Sequence, residues 1–127
     1  GLLLSYHLGA TKVLLQKNSS LPYPIRAVAG SSSGAIAATL LSLLPHRFDE
    51  YTDRFLYNGG AGLSIMMDMI QSEPIPTTPS DATLTRPDLF ICATKSMDGT
   101  RHLFRFDGTT ETIHQQQSDL LLRAIHA

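Results

Sequence analysis

The sequence predicts an α/β fold, and two observations carry that prediction. The first is the order of segments around residues 30–34, Gly-Ser-Ser-Ser-Gly: an amphipathic helix, a turn, a short apolar strand, the serine-rich turn itself and then a long apolar helix. The second is a pair of strand-like segments joined through Asp98-Gly99, a dipeptide typical of hairpin turns. Helices that alternate with strands in this way are typical of a sheet covered by helices.

The first part of the chain predicts a helix, a strand and a second helix. Apolar residues recur at helical spacing from Ser5 to Lys17, and the prolines of NSSLPYP (18–24) forbid a helix in the turn that follows. The segment from Ile25 to Ala29 has the short, partly β-branched composition of a buried strand. GAIAATLLSLL (34–44) is apolar nearly all round, which predicts a buried helix that ends at Pro45.

The rest of the chain predicts two helices, a proline-rich loop, two strands and a final helix. Their predicted ranges are, in order, 49–57, 63–71, 73–87, 88–96, 101–106 and 118–127. Four prolines between Glu73 and Pro87 oppose regular structure in the loop. Ser118 is the predicted N-cap of the final helix, SDLLLRAIHA.

Composition limits the class of protein. A length of 127 residues fits one domain, 1–127, and 43% hydrophobic with 17% charged residues excludes wholesale disorder. The 10 basic and 11 acidic residues are scattered, so we expect no nucleic-acid partner. Cys92 is the only cysteine, which excludes an intrachain disulfide and a thiolate metal cage, and we expect it to be a small buried hydrophobe.

The apolar stretches are shorter than the roughly 20 residues that a membrane-spanning helix needs. We therefore expect a soluble or peripherally membrane-bound protein. The chain opens on Gly1 and stops within the predicted final helix, so we expect it to be a fragment of a longer protein.

Residues 30–34 match G-x-S-x-G, the pattern of a nucleophile elbow between a strand and a helix. The match makes Ser32 the candidate nucleophile, with Ser31 and Ser33 beside it and Gly30 and Gly34 at the positions where side chains would collide in so sharp a turn. The helix that begins there would offer the N–H of Ser33 to an oxyanion. A flexible linker and an ordinary serine N-cap are the non-catalytic alternatives.

With the elbow assigned, residues 1–10 (GLLLSYHLGA) and 25–41 (IRAVAGSSSGAIAATLL) resemble the opening of the patatin-like phospholipase family, especially its lipid-droplet lipase branch. In that family a glycine-rich oxyanion loop runs into a helix with a His-x-Gly pair, and the elbow follows. Gly1 is similar to a glycine of that loop, His7-Leu8-Gly9 matches the pair, and Ser32 matches the nucleophile. DLFICATKS and LLLRAIHA are similar to a later core strand and helix.

The resemblance implies a three-layer α/β/α core with a central, mostly parallel sheet, of which this chain would be the N-terminal part. It also implies an acyl hydrolase of glycerolipid esters, a triacylglycerol lipase or a phospholipase, that uses a Ser-Asp dyad and needs no metal or cofactor. Gly1 and Ser33 would supply the oxyanion hole. The implied partners are a lipid substrate and the surface of a membrane or lipid droplet, which we expect inside the cell.

This sequence departs from the family pattern at two places. Leu4 stands where the last glycine of the oxyanion loop is expected. The family's catalytic Asp lies in an Asp-Gly-Gly or Asp-Gly-Ala turn after a segment like LLLRAIHA, and the chain has no such tripeptide, so we expect the Asp beyond residue 127 and the fragment alone to be inactive. Asp98-Gly99-Thr100 and Asp107-Gly108-Thr109 are predicted to be turns.

Two other functions stay open on the sequence. An α/β-hydrolase triad would combine Ser32 with Asp88 or Asp98 and with His114 or His126, in that chain order. Against it, such folds have several strands before the elbow, whereas a single helix precedes this one. A catalytically inactive scaffold or lipid-binding relative would keep the fold without the dyad.

Overall fold

Apolar runs and prolines set the helix boundaries of this protein. The structure is a computed structural model that describes residues 2–73, 87–94 and 97–106. The helices in these ranges are α1 (Leu2–Lys17), α2 (Ser33–Leu43), α3 (Phe48–Tyr57) and α4 (Gly62–Ser72), and the strands are β1 (Ala27–Ser31), β2 (Asp88–Thr94) and β3 (Arg101–Phe106). Short 3₁₀ turns lie at Asn18–Ser20, Pro45–Arg47 and Gly59–Ala61.

The predicted elements within the described residues are confirmed, with shifted ends. Helix α2 stops at Leu43, two residues before Pro45, because the residue before a proline avoids helical dihedral angles. Strand β1 lies two residues later than predicted, since its ladder with β2 begins where Ala27 pairs with Asp88. The predicted loop, apart from its two ends, and the predicted helix 118–127 lie outside the described residues.

The three strands form one mixed sheet in the order β1-β2-β3. Strand β1 runs parallel to β2, from the pair Ala27 and Asp88 to the pair Ser31 and Cys92. Strand β3 runs antiparallel to β2 and returns through the predicted hairpin. The α/β class is confirmed; because one of the two described pairings is antiparallel, this part of the sheet is mixed rather than mostly parallel.

Helix α2 is the centre of the core, as its apolar composition predicts. Every residue from Ala35 to Leu43 is buried, and the helix packs against β1 and β2 on one side and α1 on the other. Leu40 is fully buried with Leu89 and Ile91 of β2 and Leu4 of α1. Helix α2 therefore covers one face of the described sheet, and α1 packs on its far side.

The opposite face of the sheet corrects two predictions. In β1, Ala27, Ala29 and Ser31 are exposed and Val28 and Gly30 are only half-buried, so the predicted buried strand is partly covered on one side and open on the other. Cys92 is exposed as well and is not the buried hydrophobe that its residue type predicts. Successive side chains of a strand point to opposite faces of the sheet. Whether one of them is buried therefore depends on which face is covered, and residue type does not give that information.

A polar network fixes the end of α4 against the start of α3. The Arg47 guanidinium forms salt bridges with Glu73 and with Glu50. In the second of these, Arg47 Nη2 lies 2.9 Å from Glu50 Oε2. The buried Tyr51 hydroxyl donates to Glu73 Oε2 at 2.8 Å. Burial, followed by the contact with Glu73, raises the pKa of Tyr51 above its ordinary value. The network holds the chain where it leaves α4 for the predicted loop.

Candidate functional site

Ser32 lies in the turn between the end of β1 and the start of α2. Its φ is 51° and its ψ is −127°, and among the described residues it is the one non-glycine residue with a positive φ. Such a backbone conformation costs an L-residue about 1 to 3 kcal/mol and is concentrated at functional sites. The side chain is exposed. The structure therefore places a strained, accessible serine where the sequence places the candidate nucleophile.

Gly30 permits the chain to turn this sharply. A Cβ built on Gly30 would lie 2.2 Å from the carbonyl oxygen of Gly34 and 2.7 Å from the amide nitrogen of Ala35. A Cβ on Gly34 would meet only His7 Cε1, at the ordinary contact distance of 3.8 Å. The predicted collision is therefore confirmed at Gly30 and wrong at Gly34, which borders α1 at an ordinary contact distance.

The amino end of α2 begins beside Ser32. Ser33 is the first residue of the helix, and a turn hydrogen bond of 3.0 Å runs from the Ala35 N–H to the Ser32 carbonyl. The first N–H groups of an α-helix have no acceptor within the helix and carry its positive dipole end. The Ser33 N–H therefore belongs to the positive end of the helix, directly after Ser32. Gly1, the other predicted oxyanion residue, lies outside the described residues.

His7 of α1 contacts this turn. A hydrogen bond of 3.2 Å joins the Ser33 hydroxyl to His7 Nδ1, and the imidazole packs edge-on against Tyr6. Sequence reasoning assigned His7 to the His-x-Gly pair but did not predict its contact with the elbow, which spans 26 positions. The His-x-Gly pair was the sequence feature that could have indicated this contact. Of its two residues, Gly9 is exposed, whereas His7 contacts Ser33.

Of the acids proposed for a triad, Asp88 lies at the wrong end of the sheet. Asp88 pairs with Ala27 at the start of β1, whereas Ser31, next to Ser32, pairs with Cys92 at the other end. Asp88 and Cys92 are four residues apart, a distance of about 13 Å along the strand. Its carboxylate also pairs with Arg105 at 3.0 Å. The register therefore removes Asp88 from the candidates.

Asp98 lies in the hairpin turn between β2 and β3, beyond the end of β2 that adjoins the elbow. Its Oδ1 accepts hydrogen bonds from the Thr100 amide at 3.0 Å and the Thr100 hydroxyl at 2.7 Å. These bonds lower the pKa of Asp98 below its ordinary value. Gly99 has a φ of 71°, so the predicted turn is confirmed. His114, His126 and Asp107 lie outside the described residues.

Two other kinds of site are absent from the part of the chain that the structure describes. In residues 2–73, 87–94 and 97–106, no group of three or more His, Cys, Asp or Glu side chains could hold a metal ion. No helix within the same ranges is both long enough and apolar enough to cross a membrane.

Comparisons with known proteins match nothing to this chain: no protein-family model, no curated protein and no solved structure. The geometry of the elbow and the motifs of the sequence are therefore the basis for a functional proposal.

Proposed function

We propose that this protein is a serine acyl hydrolase of glycerolipid esters, a lipase or phospholipase of the patatin-like kind, with Ser32 as its nucleophile. The positive φ of Ser32 carries the proposal. The turn at Ser32 puts an exposed serine directly after a strand and beside the amino terminus of a buried helix. A nucleophile and a ready oxyanion site are the two groups that acyl transfer requires at the reacting carbon.

In the proposed reaction the Ser32 oxygen attacks the ester carbonyl and its proton passes to a carboxylate base. The tetrahedral oxyanion is stabilised by the Ser33 N–H and a second donor, which the family resemblance assigns to the loop of Gly1. The protonated base gives its proton to the glycerolipid oxygen, which leaves as an alcohol. Water, deprotonated by the same base, then attacks the acyl-enzyme; the fatty acid leaves and the proton returns to the Ser32 oxygen. The carboxylate of the dyad is expected outside the described residues.

The test is covalent labelling of the full-length protein with a fluorophosphonate probe. We expect wild type to be labelled, Ser32→Ala to lose labelling, and Ser31→Ala to retain it. Ser31 is the matched control because it is the preceding serine and is also exposed, but it lies in the regular ladder of β1. Labelling that survives Ser32→Ala would end the nucleophile assignment.

The proposed substrate class is tested by measuring fatty-acid release. We expect the labelled protein to release fatty acid from triacylglycerol or phospholipid emulsions, and Ser32→Ala to abolish that release. A wild-type protein that takes up no probe and hydrolyses no ester supports the inactive scaffold or lipid-binding alternative instead.

A further inference from the structure

The imidazole of His7 lies beside the first turn of α2. Its Nδ1 is 3.2 Å from the Ser33 hydroxyl oxygen. Its Cε1 is 3.8 Å from the position that a Cβ would take on Gly34. Ser33 and Gly34 are the two residues that follow Ser32, so the imidazole borders the half of the elbow in which the helix begins.

Helix α1 is a firm support for this imidazole. Leu4 and Leu8 of α1 are buried in the same core as α2. The buried Thr11 donates a hydrogen bond from its hydroxyl to the His7 carbonyl oxygen at 2.7 Å, and the half-buried ring itself packs edge-on against Tyr6. The backbone that carries the imidazole is therefore held against α2.

The start of α2 lacks the usual side-chain cap. Ser32 occupies the N-cap position, but its side chain makes no capping hydrogen bond. The bond between Ser33 and His7 instead joins the first helical residue to α1. A strained residue such as Ser32 persists only where its surroundings over-determine it. Whatever holds Ser33 in place therefore also supports the turn at Ser32.

Stability gives little reason for a polar pair at this contact. Leu4 and Leu8 already join α1 to the apolar core around α2. A hydrogen bond between two uncharged side chains adds little net stability, and replacing both partners with apolar groups of similar shape is nearly neutral. A histidine and a serine at this place therefore favour a role in the elbow over a role in packing.

We propose that His7 is a positioning residue of the hydrolase: its hydrogen bond with the Ser33 hydroxyl fixes Ser33, whose N–H is the proposed oxyanion donor. This inference rests on the proposed function. An oxyanion donor is effective only when it is aimed before the reaction begins. His7 would supply that preorganisation from a neighbouring helix.

The role does not require His7 to take a proton from Ser32. An unprotonated Nδ1 accepts a hydrogen bond from the Ser33 hydroxyl, and a protonated Nδ1 donates one to the same oxygen. Either form of the ring therefore keeps the bond. The base of the proposed reaction stays the carboxylate.

The test is the hydrolysis of a short p-nitrophenyl ester by the full-length protein. We expect His7→Leu to lower kcat about tenfold with little change in KM, less than the roughly hundredfold loss that follows removal of a donor itself. His7→Asn should restore most of kcat, because its side-chain amide carries a hydrogen-bonding atom at the level of Nδ1. Gln16→Leu, at an exposed position of the same helix, is the control and should leave kcat unchanged.

A second variant removes the same hydrogen bond from the other side. Ser33→Ala should lower kcat about as much as His7→Leu, and the double variant should lose no more than either one, because the two side chains act as a unit. Ser33→Ala also carries the test where His7→Leu fails to fold. Urea unfolding of each variant separates a slower enzyme from a smaller folded fraction.

Failure of this inference and failure of the proposed function give different results. A wild-type protein that neither takes up fluorophosphonate nor cleaves the ester overturns both. A protein that is active through Ser32 overturns the role of His7 alone if folded His7→Leu keeps full kcat, or if His7→Asn is as slow as His7→Leu. A fluorophosphonate adduct on Ser33, located by peptide mapping, would make His7 a base for that serine and would also overturn the positioning role.

Discussion

Replacing Gly30 with alanine is expected to destabilise the protein by about 3 kcal/mol or more and to abolish labelling of Ser32. The added methyl group would lie 2.2 Å from the Gly34 carbonyl oxygen. Neither group can rotate away, because the Cβ position is fixed by the backbone and the carbonyl is part of it. The turn must then open, which moves Ser32 away from the first N–H groups of α2. Urea unfolding measures this loss of stability. Because the chain has no tryptophan, unfolding is followed by far-ultraviolet circular dichroism.

Gly34→Ala is the matched control for this prediction. The new methyl group would have ordinary contact distance to His7 Cε1, 3.8 Å, and alanine favours a helix over glycine by about 1 kcal/mol. We therefore expect Gly34→Ala to leave stability unchanged or to raise it. Equal losses at the two glycines would contradict the geometry of the turn.

The second large effect is expected at Glu73. Glu73→Ala should lower the free energy of unfolding at neutral pH by about 2 kcal/mol, because it leaves the buried Tyr51 hydroxyl without its acceptor. Glu50→Ala removes the other acidic partner of Arg47 from an exposed position and should cost much less. Denaturant titration of both variants at one pH compares them directly.

The Glu73 contribution should also depend on pH. Burial by itself raises the pKa of Glu73, but the hydrogen bonds from Arg47 and Tyr51 outweigh it and hold the pKa below the ordinary value of 4.5. A carboxyl group whose pKa is lowered by folding stabilises the protein above its unfolded pKa and loses that contribution as pH falls through the folded value. The difference in stability between wild type and Glu73→Ala should therefore shrink below about pH 4.5. A difference that stays constant down to pH 2 would contradict the network.

The sequence predicted the elements well because their causes are local. The apolar run 34–44 determines a buried helix, Pro45 determines that it ends at Leu43, and Asp98-Gly99 determines the hairpin turn. The position of Ser32 in the turn follows from the same local pattern. Each of these features depends on residues only a few positions apart.

What the sequence could not predict depends on contacts between distant segments. The hydrogen bond between His7 and Ser33 requires α1 to lie beside the elbow, and the exposure of Cys92 depends on which elements cover each face of the sheet. The unequal roles of Gly30 and Gly34 emerge only when the path of α2 after the turn is known. Residue spacing carries none of this information.

The strained backbone at Ser32 is the central claim, and a comparison of glycine with alanine at adjacent serines tests it most directly. At a residue with φ of 51°, glycine relieves the strain that any Cβ causes. We predict that Ser32→Gly is more stable than Ser32→Ala by about 1 kcal/mol, and that Ser31→Gly, in the extended strand, is less stable than Ser31→Ala by about 0.5 to 1 kcal/mol. If Ser32→Gly proved no more stable than Ser32→Ala, residue 32 would have an ordinary backbone, and the proposed nucleophile elbow would be wrong.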